Sequence, residues 1–186
     1  MKAELWYSVV VRDRHGKIIS RERRKSKSFL KQWNQLVYVQ MSQATISITD
    51  TGGNSRSIGP DLSSFNMDAA IGVITHGIRV GTENTAVAID DDALETPLTE
   101  GAGAGQMNHW ACTVGDPTVS APNCSFLVSR VIVNSSGSEI TVKEAGIYMK
   151  MKGGYYSCAV RDVFGTPQAV PNGGAITVNW TLQVTV

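Results

Sequence analysis

The C-terminal stretch from Ile176 to Val186 alternates without a fault: Ile176, Val178, Trp180, Leu182, Val184 and Val186 are apolar, and Thr177, Asn179, Thr181, Gln183 and Thr185 are polar. A period of two puts every apolar side chain on one face of a strand and every polar one on the other. Such a strand needs a core against one face only, the mark of an antiparallel sheet covered on one side. The chain is thereby committed to a layered β architecture, with Trp180 as the predicted anchor of its core.

The rest of the chain agrees. Leu5 to Arg12 is β-branched and aromatic, and after Asp13-Arg14-His15-Gly16 the chain resumes as Lys17 to Arg24, which predicts an N-terminal hairpin turning at Gly16. The period then changes. Phe29, Leu30, Trp33, Leu36, Val37 and Gln40 lie on one helical face, predicting one helix over about residues 27–42 with Ser26 or Ser28 as its N-cap. Further on, short apolar runs alternate with turn signals, and Asn123 to Asn134, Ile140 to Lys152 and Tyr155 to Phe164 read as a three-strand meander. Within the second of these the apolar positions switch from even (Ile140, Val142) to odd (Ile147, Met149, Met151), which a β-bulge near Ala145-Gly146 would reconcile. The predicted fold is mainly β: an antiparallel sandwich or jelly-roll-like body over residues 44–186, with the hairpin and helix of residues 1–43 packed on it or extending from it.

At 186 residues the chain is long enough for one sizeable core, and its net charge of +1 gives no bulk attraction to nucleic acid or to an anionic membrane. No apolar run approaches membrane-spanning length and the N-terminus does not resemble a signal peptide, so the expectation is a chain made and left in the cytoplasm unless a larger assembly carries it out. Cys112, Cys124 and Cys158 are odd in number and lack CxxC spacing, which predicts reduced thiols, for the most part buried, rather than a disulfide framework or a zinc ribbon.

Catalytic patterns do not emerge. Gly101 to Gly105 (GAGAG) lacks the later glycine and the following helix of a dinucleotide-binding turn and reads as a loop. His109 and Cys112 are the one histidine–cysteine pair near in sequence, but regular alternation puts them on opposite faces of a strand. Asp90-Asp91-Asp92 lacks the spacing of a calcium loop and is predicted to cap a short helical turn through Ala93-Leu94-Glu95. The expectation is no cofactor, no metal and no enzymatic activity. In an alternative of another class, a carbohydrate- or receptor-binding module, Trp110, Tyr155 and Tyr156 would form the platform.

The near-zero total conceals two poles. From Arg12 to Lys31, nine basic residues (Arg12, Arg14, Lys17, Arg21, Arg23, Arg24, Lys25, Lys27, Lys31) face two acidic ones, a net charge of +7. From Glu83 to Glu100, the six acids Glu83, Asp90, Asp91, Asp92, Glu95 and Glu100 face no base. Either these are two solvated faces, or they are complementary contacts between neighbouring subunits. Trp33 and Phe29 read as core partners rather than a stacking platform, so nucleic acid ranks last among the partners of the basic stretch.

Gly77-Ile78-Arg79-Val80-Gly81-Thr82 with Thr85-Ala86-Val87, then Asp90 to Leu98 (DDDALETPL), Val142 to Tyr148 (VKEAGIY) and the terminal polar-apolar strand form an ordered set over somewhat more than half the chain. In these segments the sequence resembles small virion structural proteins encoded by tailed bacteriophages. The resemblance implies a non-enzymatic subunit of the virion, a homo-oligomer contacting copies of itself and other virion proteins, with a tail or neck position ahead of a capsid cement or decoration role. Such relatives often carry glycine where this chain has Glu83 and an aromatic where it has Asp92.

Overall fold

The computed structural model of the chain describes residues 2–26 and 28–186. In chain order the elements of the first half are β1 (Lys2–Arg12), β2 (Ile18–Lys25), α1 (Lys31–Ser42), β3 (Ile46–Thr49), β4 (Ser55–Ile58), β5 (Gly77–Gly81) and β6 (Thr99–Glu100). There follow β7 (Gln106–Val114), β8 (Thr118–Ser120), β9 (Asn123–Val133), β10 (Ile140–Lys150), β11 (Tyr156–Val170) and β12 (Ala175–Thr185). The fold is mainly β with one α-helix. A seven-stranded sheet runs β2-β1-β12-β9-β7-β6, with β8 beside β9, and faces a three-stranded sheet, β11-β10-β5. β3 and β4 form a separate hairpin.

The terminal strand occupies the middle of the large sheet because both its edges find antiparallel partners. Tyr7, Trp180 and Val128 lie side by side across β1, β12 and β9. Ile176, Val178, Trp180 and Leu182 face the core as the alternation predicts, and Trp180 is fully buried. Val184 and Val186 run past the core and are exposed. β1 contributes Leu5, Tyr7, Val9 and Val11 to the same core, and α1 adds Leu36 and Val39, so β1 shares a sheet, and β1 and α1 a hydrophobic centre, with the remainder. The hairpin turns where expected, with Gly16 at a φ of +81° and the Asp13 carboxylate accepting the N–H groups of His15 and Lys17.

Three local expectations are corrected. The helix begins at Lys31 with Leu30 in the capping position, without a side-chain cap. Ser26 and Ser28 are drawn away because the chain crosses there from the large sheet to β11: Ser26 donates to the Asp162 carboxylate, Ser28 to the Arg161 carbonyl, and the Leu30 N–H to the Ala159 carbonyl. The meander is half present. β10 and β11 pair, but β9 belongs to the other sheet, its two edges taken by β12 on one side and by β7 and β8 on the other. The parity switch in β10 falls between Val142 and Glu144, just before the predicted bulge, where its register with β11 shifts and core-facing positions change from Val142 to Ala145.

Candidate functional site

Sequence reasoning missed a buried ion-pair network under the acidic segment. Glu144 on β10 and Arg161 on β11 are both completely buried, with Arg161 Nε donating to Glu144 Oε2 at 2.8 Å. A second guanidinium arm, Nη1, reaches Asp91 Oδ2 at 2.6 Å, and the third, Nη2, donates to the Thr85 carbonyl at 3.1 Å. The other oxygen of Glu144 accepts the Thr96 N–H at 3.2 Å. Burial works against the Arg161 charge, and the bonds to Asp91 and Glu144 more than offset it, raising its pKa. The network needs room at β5, since a Cβ on Gly81 would collide with the Glu144 carboxylate. Tyr148 completes the anchor by accepting the Leu94 N–H at 2.8 Å. Residues 82–98 are thereby strapped over the small sheet from below. The available signal was a pair of adjacent opposite charges inside each of two apolar strands: Lys143-Glu144 between Val142 and Ala145, and Arg161-Asp162 between Val160 and Val163.

This network redefines the acidic pole. Asp91 is an internal ligand of Arg161 and accepts the Ala88 N–H, closing a turn; no helical turn follows it. Asp92 is half-buried, while Glu83, Asp90 and Glu95 are exposed. Glu100 bonds His109. On the basic side, Arg24 pairs with Glu22 at 2.8 Å and Lys25 with Glu4 at 2.7 Å. Glu22 in turn accepts from Tyr7, Gly165, Thr166 and Gln168, fastening β2 to the far end of β11. Arg12 donates to the Gly16 carbonyl, Arg14 contacts His15, and Arg23 lies over the Trp6 ring, 5.0 Å from its centre. Arg21 is exposed and, among the described residues, makes no ion pair or hydrogen bond. Lys27 lies outside the described residues. A cleft of about 450 Å³ separates the two poles, with Arg24 and Lys25 on one wall, Val87 to Ile89 on the other, and Phe29 and Leu30 between.

His109 and Cys112 turn out to face the same way. β7 is irregular between them, so Trp110 and Ala111 are both exposed and the flanking side chains both point inward. Among the described residues, no group of three or more His, Cys, Asp or Glu side chains is placed to hold a metal. His109 is fully buried, with Nδ1 2.9 Å from Glu100 Oε2 and 3.0 Å from the Met107 carbonyl. Both neighbours are acceptors, which assigns the proton to Nδ1. Burial, aided by Arg130, holds its pKa down to about 4, so at neutral pH the contact is a hydrogen bond from an uncharged ring. Arg130, itself buried, donates to the carbonyls of Trp110, Ile78 and Val73 and so ties β7, β5 and the preceding loop together. A folded pKa below the unfolded value means that the unfolded chain takes up a proton first as pH falls. Stability is therefore expected to drop between pH 6.5 and about 4, in total by about 3 kcal/mol, and to be independent of His109 above pH 7.5 or so. Urea unfolding of the parent and of His109→Gln across this range checks it: the variant's curve should be the flatter, the difference reporting His109 together with Glu100.

The three thiols are free and lie apart. Cys112 and Cys158 are buried, which raises both pKa values, and half-buried Cys124 lines an apolar cleft of about 510 Å³ with Phe29, Trp33, Phe126 and Leu182. Tyr155 is covered by Arg56 and Tyr156 stacks on His76, so both rings have partners of their own, while Trp110 projects from a different sheet. They do not assemble a common platform.

Comparison of the chain with protein-family models, with curated proteins and with solved structures returned no match. Among the described residues, no helix is long and apolar enough to cross a membrane.

Proposed function

We propose that the chain is a non-enzymatic structural subunit of a tailed-phage virion, packing against copies of itself and neighbouring virion proteins as a tail or neck component. The observation that carries this reading is the convergence of the residues on which the resemblance rests. Gly81, then Asp91 and Thr96, then Glu144 come from three separate segments, and they meet around the Arg161–Glu144 pair to shape one exposed loop. A chain that commits two fully buried charges to the shape of a surface loop gains conformational definition there, where an assembly contact needs it. The two charge poles beside that loop support the same reading, since complementary charges set the register of subunit contacts.

The test is peptide mass spectrometry of gradient-purified particles from lysates of the virus that encodes the chain. The chain should copurify with the particles in a fixed multiple of copies, and antibody-labelled micrographs should place it on the tail or neck. Its absence from washed particles would contradict the proposal.

A further inference from the structure

We infer that the outer edge of β2 is a pairing edge for a second copy of this chain, which lays its Glu83–Ala86 segment along it as an added strand in a two-fold exchange. The inference rests on the reading of the chain as an assembly subunit and names the contact that subunit uses. β2 ends the large sheet, so one side of it lacks a strand. The Ser26 N–H donates to the Leu5 carbonyl, and the β1–β2 register then turns the backbone groups of Arg24, Glu22 and Ser20 towards β1. Those of Arg21, Arg23 and Lys25 point out, and among the described residues they have no backbone partner.

An open edge is a hazard that natural sheets guard with charge. Two β2 strands brought together would set Arg21 and Arg23 against their own copies, which disfavours self-pairing of this edge. The same side chains invite an acidic strand. Glu83 to Ala86 (Glu-Asn-Thr-Ala) brings one acid, Glu83, and no base: it is exposed and belongs to no strand, and among the described residues its one bonded backbone group is the Thr85 carbonyl, held by Arg161. Thr85 and Asp91, both bonded to Arg161, fix it in place, so little ordering cost remains on pairing. From Glu83 to Ala86 an extended chain rises roughly 10 Å, within the roughly 13 Å from Arg21 to Lys25 along β2.

Position supplies the symmetry. Arg24 and Lys25 at the C-terminal end of β2 and Val87 to Ile89, which directly follow the Glu83–Ala86 segment, line the same 450 Å³ cleft. Where two complementary patches flank one cleft, a two-fold axis through it satisfies both in a single isologous contact. Ile89, 65% exposed at the rim, gives that contact an apolar centre, and Glu83 lies within the pairing segment and exposed Asp90 just beyond it, the acids available to Arg21 and Arg23 of the other copy.

The test is sedimentation velocity of the purified full chain over a range of concentrations, with thermal unfolding as the control for folding. Arg23→Pro removes an outward N–H and leaves the ladder to β1 intact, as proline is tolerated on an edge strand. The Arg21→Glu/Arg23→Glu pair reverses the charge, and Glu83→Lys/Asp90→Lys is its complement; Asp91 is left unchanged because it holds Arg161. The parent should form a dimer, and Arg23→Pro and the arginine reversal should each weaken it by about tenfold or more while melting near the parent. The fourfold swap should recover most of the affinity. A dimer indifferent to both changes would overturn this contact and leave the assembly reading standing. A monomer that still enters particles would do the same, whereas a monomer absent from particles would overturn both. If either β2 variant melts far below the parent, Glu83→Lys/Asp90→Lys alone decides: an unweakened dimer would overturn the inference.

Discussion

Replacing Arg161 with methionine is expected to cost about 3–5 kcal/mol of unfolding free energy, because it leaves the Glu144 carboxylate buried without its counter-charge. Both side chains are fully enclosed, and no water reaches either one to soften the loss. The matched variant Glu144→Met/Arg161→Met should recover much of that cost, since an apolar pair of similar volume avoids burying charge at all. It should not recover the loop. Without the guanidinium, Asp91 and Thr85 lose their anchor, and the amide hydrogens of Ala88 and Asp91, which close the turn beside it, should exchange faster in both variants. Urea denaturation with hydrogen exchange reads both effects. If the single variant is as stable as the parent, or the loop stays protected in the double variant, the network is not what straps the acidic segment down.

Trp180→Ala is the other large effect. The indole is fully buried at the centre of the large sheet, with Tyr7 beside it on β1 at a ring separation of 6.5 Å and Phe164 beyond, 5.8 Å from Tyr7. Truncation should cost about 3–5 kcal/mol through lost burial and the cavity left behind. For a domain of this size that lowers the melting temperature by roughly 6–20 °C, and little soluble protein should be recovered. Thermal unfolding of whatever folds is the check; a variant that melts like the parent would mean the site collapses around the missing ring.

The C-terminal strand β12 is legible in the sequence because its period of two is unbroken and its burial is one-sided, so alternation alone places Trp180, Val178 and Ile176 inside. Pairing was less accessible. Nothing in Asn123 to Val133 says that its edges go to β12 and to β7 and β8 rather than to β10, because alternation reports which face is buried and not which strand lies alongside. The helix start was displaced by tertiary bonds to Ser26 and Ser28 that outcompete capping. Of the charge poles, composition counted the residues correctly but could not separate exposed Arg21 from Arg24, which is paired with Glu22, or Asp90 from Asp91, which is consumed by Arg161. His109 and Cys112 were assigned to opposite faces because a bulge leaves no trace in two residues of sequence.

The assembly proposal is tested most directly by a cryo-EM map of the intact particle of the virus that encodes this chain. The expected map shows sandwiches repeated under the particle's symmetry, each in contact with at least one other copy, with the basic edge of β2 against the Glu83–Ala86 segment of its neighbour. A map of the complete particle without density for this sandwich, or with isolated copies that touch no second one, would contradict it.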